Sequence, residues 1–151
     1  MIRRLLFVSL ATIAALPASG GDTGGQPLPP FQAHVDMKTF MEHVLSPAAR
    51  IVWGVNAIVI DGTGEHDLSP RSDADWEEVT SGAATLAEAT NALMIPGRAR
   101  DGSWYALVRP LAEAADQAYR AAEAHDLKGV SAVADRLDGI CSACHRHYGY
   151  E

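Results

Sequence analysis

The chain has 151 residues, the size of one ordinary domain, and its 48% hydrophobic content is enough to build a single buried core. Nineteen acidic against 12 basic residues give a formal charge of −7 with histidines neutral. That balance repels nucleic-acid phosphates and leaves simple solubility, or attraction to basic partners, as the meaning of the charge.

In chain order, the first expected element is an export signal over residues 1–20. Arg3 and Arg4 supply a positive start, Leu5 to Leu16 an apolar run ending at Pro17, and Ala18, Ser19 and Gly20 a small-residue cleavage region. The apolar run is well short of the roughly 20 residues that cross a bilayer, so cleavage is expected rather than a retained membrane anchor. Residues 21–30, rich in glycine and proline, read as a flexible leader, and residues 31–151 as the folded domain. Loss of Arg3 and Arg4 makes the mature chain two units more negative.

Beyond residue 30, alanine, leucine and glutamate abound and β-branched alternation is nearly absent, which predicts helix as the only regular structure. A first helix is predicted from Ala33 to Val59, with Met37, Met41, Val44, Ala48, Ile51, Val55 and Ile58 on one face. Pro47 should kink or break it, with Ser46 capping the continuation. Asp61 to Pro70 reads as a loop. A second helix should begin near Ser72 or Asp73, where Ser72 and Asp75 have capping-box spacing, and end by Ile95. Trp76, Val79, Ala83, Leu86, Thr90 and Leu93 form its inner face. The third starts after Asp101-Gly102-Ser103 and runs to about His125, bent at Pro110, with Leu107, Leu111, Ala114, Ala118 and Ala121 inward. The fourth starts at Asp126, carries Val130, Val133, Leu137, Ile140, Cys144 and Tyr148 inward, and ends near Gly149. Four such helices with short connections pack most simply as an antiparallel bundle, giving an all-α fold with ligand space between facing helices.

The chemistry sits on the last helix. Cys141-Ser142-Ala143-Cys144-His145 is a C-x-x-C-H haem-attachment pattern. Residues three apart on a helix lie about one turn apart on one side, so both thiols can add to the vinyl groups of one haem. His145 is then placed to bring an imidazole nitrogen to the iron. Two other readings compete. A zinc site needs further ligands, and the chain has no other cysteine. A dithiol redox pair belongs at a helix N-terminus beside strands, which is not this setting.

An attachment motif on the last helix of an exported helical domain resembles the cytochrome c′ family, the four-helix class of c-type cytochromes. The resemblance spans residue 31 to the end. It implies one covalent haem c per chain, thioethers at Cys141 and Cys144, His145 as proximal ligand, and Tyr148 as the aromatic residue three positions later. Gly149 stands where family members commonly carry an arginine. The resemblance also places the distal residue on the first helix, where Met41, Met37 and His34 lie on nearly one side. Met41 is preferred because it is deepest in the helix. Thioether ligation would close the sixth position and suit electron transfer. The expected protein is therefore a periplasmic monohaem electron carrier, not an enzyme, serving a redox partner protein. The alternative is a five-coordinate, high-spin haem that binds nitric oxide or carbon monoxide. Nucleic acid is not an expected partner; a homodimer fits the family. His43, His66, His125 and His147 are expected at the surface, and Trp53, Trp76 and Trp104 as core or haem-edge packing.

Overall fold

Residues 31–149 are described by the computed structural model, so the expected signal (1–20) and leader (21–30) lie outside the described residues. Helix α1 (Met37–Phe40) starts at Asp36, whose carboxylate accepts from the Thr39 amide at 2.8 Å and the Thr39 hydroxyl at 3.0 Å. It runs without a break through a π-helical turn (Met41–Leu45) into α2 (Ser46–Gly54). The disturbance expected at Pro47 thus lies just upstream of it, and Ser46 does not act as a cap: α2 has no side-chain cap. Pro47 lacks an N–H, and its ring crowds the carbonyl four residues earlier. The wider turn, in which the Ser46 amide bonds to the Met41 carbonyl, relieves that crowding without breaking the helix.

The helix ends at Gly54 rather than Val59. Ile58–Asp61 instead forms β1, paired antiparallel with β2 (Gly64–Asp67) in the register Ile58 to Asp67 and Asp61 to Gly64. The all-α expectation is therefore corrected to a mostly helical fold with a small two-stranded sheet, and part of the expected 61–70 loop is strand. The cause is local. Ile58, Val59 and Ile60 are β-branched, and Asp61 accepts from the Thr63 amide at 2.7 Å and the Thr63 hydroxyl at 2.6 Å, closing the turn. Gly64 takes φ +134°, which side-chain-bearing residues rarely adopt.

The remaining helices are α3 (Asp73–Leu93), α4 (Trp104–Glu123) and α5 (Leu127–Tyr148). The capping box forms as its spacing predicts. Ser72 Oγ accepts from the Asp75 amide, and the Asp75 carboxylate accepts from the Ser72 amide at 2.8 Å. Asp126 caps α5 through the Gly129 amide. Pro110 lies one turn and a half inside α4, which continues through it. Packing is between α3 and α4, between α4 and α5, and of α2 against both α3 and α5. The inner face expected for α3 is buried throughout. On α4 the expected Leu111, Ala114 and Ala118 are buried, but Leu107 and Ala121 are only half-buried and Trp104, Val108, Ala115 and Ala122 are buried in addition. Val52, Leu86, Val130 and Leu137 are the largest fully buried side chains.

Gly82 sets how closely α2 approaches α3. A methyl group there would lie 2.7 Å from Cβ and Cγ2 of Ile51, and the Cβ cannot swing away without moving its helix. Gly82→Ala is expected to destabilise the protein by about 1–3 kcal/mol, the usual range for overpacking, despite alanine's better helix propensity. Urea unfolding measures it, and an unchanged midpoint would show that the two helices separate freely.

Candidate functional site

Cys141, Cys144 and His145 occupy the last turns of α5, and all are half-buried. The amphipathic pattern of α5 explains their aspect: Val130, Val133 and Leu137 bury one face, and Ile140, Cys141 and Cys144 carry it on toward the helix end. Both cysteines are free thiols. Burial, with the nearby Asp138 carboxylate and Cys144 adding to it, pushes the Cys141 thiol up to about 11. Burial also raises Cys144, against an opposing pull from the Arg100 guanidinium. These thiols stay protonated at neutral pH. A reactive dithiol needs the reverse, a depressed thiolate near a helix N-terminus; the C-terminal turns of α5 add the unfavourable end of the helix dipole.

The two thiols line one apolar cavity. His145 lines it from the same helix, and Met41 from the π-helical turn. Its other walls include Leu86 and Leu93 of α3 and Trp104, Val108 and Leu111 of α4. Trp53 and Ser46 contribute the few polar atoms away from the motif. Trp53 Nε1 is buried without a hydrogen-bond partner among the described residues. Two thiols a helical turn apart on an apolar wall, an adjoining imidazole, and a thioether from another element make a donor set that fits a haem.

An adjoining hollow shares Met41, Ser46, Trp104, Cys144 and His145 with the cavity. Met37, Lys38, Glu42, Arg100 and Tyr148 line only this hollow. The tyrosine hydroxyl donates to Asp101 Oδ1 at 2.7 Å, and its ring lies tilted against Trp104 at 5.1 Å between centroids. Partial burial and the Asp101 carboxylate together push Tyr148 up to about 12, so it remains a donor. The same hydrogen bond, with the Ser103 amide, holds the Asp101 carboxyl below its ordinary range.

Met41 is thus the one of the three distal candidates that reaches the cavity holding both cysteines; Met37 lines the adjoining hollow, and His34 is exposed before α1 and lines neither. His43, His66, His125 and His147 are exposed, as expected; His125 stacks on Trp76 at 4.9 Å. Ser46 and Arg100 were not anticipated on these walls. Ser46 points there because the π-helical turn shifts the register of the helix by one residue, and Arg100 lies in a connection whose course no periodicity predicts.

Among the described residues, no three histidine, cysteine or carboxylate side chains are gathered so as to hold a metal ion, and no helix is long and apolar enough to cross a membrane. Comparison of the chain with protein-family profiles, curated proteins and solved structures returned no match.

Proposed function

We propose that this chain is an exported, periplasmic monohaem c-type cytochrome that carries single electrons to or from a redox partner protein. In this reading residues 31–151 form an antiparallel four-helix bundle of the cytochrome c′ kind, with a small hairpin as an addition, and α5 carries the haem. The observation that supports it is the convergence of Cys141, Cys144, His145 and Met41 on one apolar cavity. Cys141 and Cys144 would anchor the macrocycle as thioethers, each S–H adding across a vinyl C=C with the sulfur bonding one carbon and the hydrogen the other. His145 and Met41 would hold the iron. The surrounding leucines, valine and tryptophans exclude water. Haem iron so held supplies reversible one-electron chemistry.

The chain itself performs no catalytic step in this reading. The apolar character of the cavity also favours the second reading, a five-coordinate haem open to nitric oxide or carbon monoxide, in which Met41 only packs.

The test is the mass and visible spectrum of full-length protein expressed with attachment machinery and recovered from the periplasm. One covalent haem per chain, retained through acid-acetone extraction, is expected. A chain of bare polypeptide mass would sink the proposal.

A further inference from the structure

The connection between α3 and α4 is pinned at both ends. Arg98, only 7% exposed, donates to the Ala92 carbonyl at 3.2 Å and the Val35 carbonyl at 3.1 Å, and its guanidinium lies 4.3 Å from the centroid of the Phe40 ring. At the other end Asp101 accepts from the Tyr148 hydroxyl and, at 2.8 Å, from the Ser103 amide. Between these anchors Arg100 is delivered to the wall of the hollow beside Cys144 and His145, its guanidinium 5.3 Å from the Tyr148 ring centroid and 5.9 Å from that of Trp104. Lys38 of α1 lines the same hollow, with Glu42 at 3.9 Å from its ammonium group. Two cations and one carboxylate therefore border this space in a chain whose net charge is −7.

A haem presents two carboxylate side chains, and an unpaired carboxylate in an apolar cavity is strongly disfavoured. The cavity that holds the cysteines offers no cation; the hollow beside it offers two. We propose that Arg100 and Lys38 bind the carboxylate side chains of the macrocycle in this hollow, with Arg100 the principal contact. The guanidinium suits the role because its planar donors match a carboxylate in pairs. Its cation–π contacts with Tyr148 and Trp104 keep the guanidinium at the wall of the hollow. The connection is then a strap that seats the cofactor from outside, while α5 holds it by covalent bonds. This inference rests on the haem reading above.

The test compares native protein with Arg100→Gln, Arg100→Lys and Lys38→Gln, all expressed with attachment machinery, first by mass and then by midpoint potential. A native chain of bare polypeptide mass overturns the haem reading and this inference with it. With haem present, Arg100→Gln should lower the midpoint, since removing a cation from the carboxylates favours the ferric state. The expected change is up to about tenfold in ferric preference, or about 59 mV for one electron. Arg100→Lys should recover most of it, and Lys38→Gln should shift it the same way by less. A loaded Arg100→Gln protein with the native midpoint overturns the inference alone, as does an Arg100→Lys protein shifted as far as Arg100→Gln. Should Arg100→Gln fail to accumulate, an unchanged midpoint in Lys38→Gln overturns it.

Discussion

Replacing Cys141 and Cys144 together by serine is expected to abolish covalent haem, leaving a chain of polypeptide mass whose visible absorption disappears on acid-acetone extraction. Either single replacement leaves one thioether and should reduce the loaded fraction without eliminating it. The double variant removes only two sulfur atoms from half-buried positions, so its folding should suffer far less than its loading. A pH measurement separates the free thiols from the linked ones. In the unloaded native chain the Cys141 thiol sits at about 11 against an ordinary 9.0. A group whose folded value is raised contributes stability that is complete below its unfolded value and is lost as pH climbs through the folded one. Unloaded native protein should therefore lose stability between pH 9 and about 11 from this source. A thioether has no proton to release, so the loaded protein should not show that component, nor should the double serine variant. Equal alkaline destabilisation of unloaded native and doubly substituted protein would show that the Cys141 thiol is not its source. Loading itself should raise the thermal midpoint, because a group that binds only the folded chain stabilises it.

The parts of this molecule that were legible from sequence are those governed by short-range pattern. The inner face of α3 follows from a regular three-and-four spacing, and its start from the Ser72 and Asp75 box. The grouping at the end of α5 is legible because Cys141, Cys144 and His145 lie within five consecutive residues of one helix, which fixes their spacing. The hairpin was missed although its signals were present: three β-branched residues followed by Asp61-Gly62. They were outweighed by an apolar stripe that continues in register as far as Val55, which is indeed buried. Ile58 matches the same periodicity, yet is 59% exposed, because the helix had already ended at Gly54. Pro47 does mark a disturbance, but the strain of a proline falls on the turn before it, at Met41–Leu45. The walls of the cavity were least legible. Trp53, Trp104 and Arg100 reach it by tertiary packing, which no spacing along one helix encodes.

The π-helical turn bears on the proposed sixth ligand. Met41 opens the π-helical turn, and π-turns recur at functional sites because the inserted residue re-aims its neighbours. In the proposed carrier, Met41→Ala in haem-loaded protein should convert a low-spin spectrum that ignores carbon monoxide into a high-spin one whose ferrous form binds it stoichiometrically. The midpoint potential should fall as well, since thioether ligation raises it. Met37→Ala should leave both properties as they are, because Met37 lines the adjoining hollow and not the cavity of the cysteines. A native protein that already takes up carbon monoxide would remove Met41 from the iron and favour the gas-binding reading. In that case Met41→Ala should change only the rate of gas entry, through the extra space, and leave the spin state untouched. The same pair of variants thus separates a closed sixth position from an open one, whichever way the native spectrum falls.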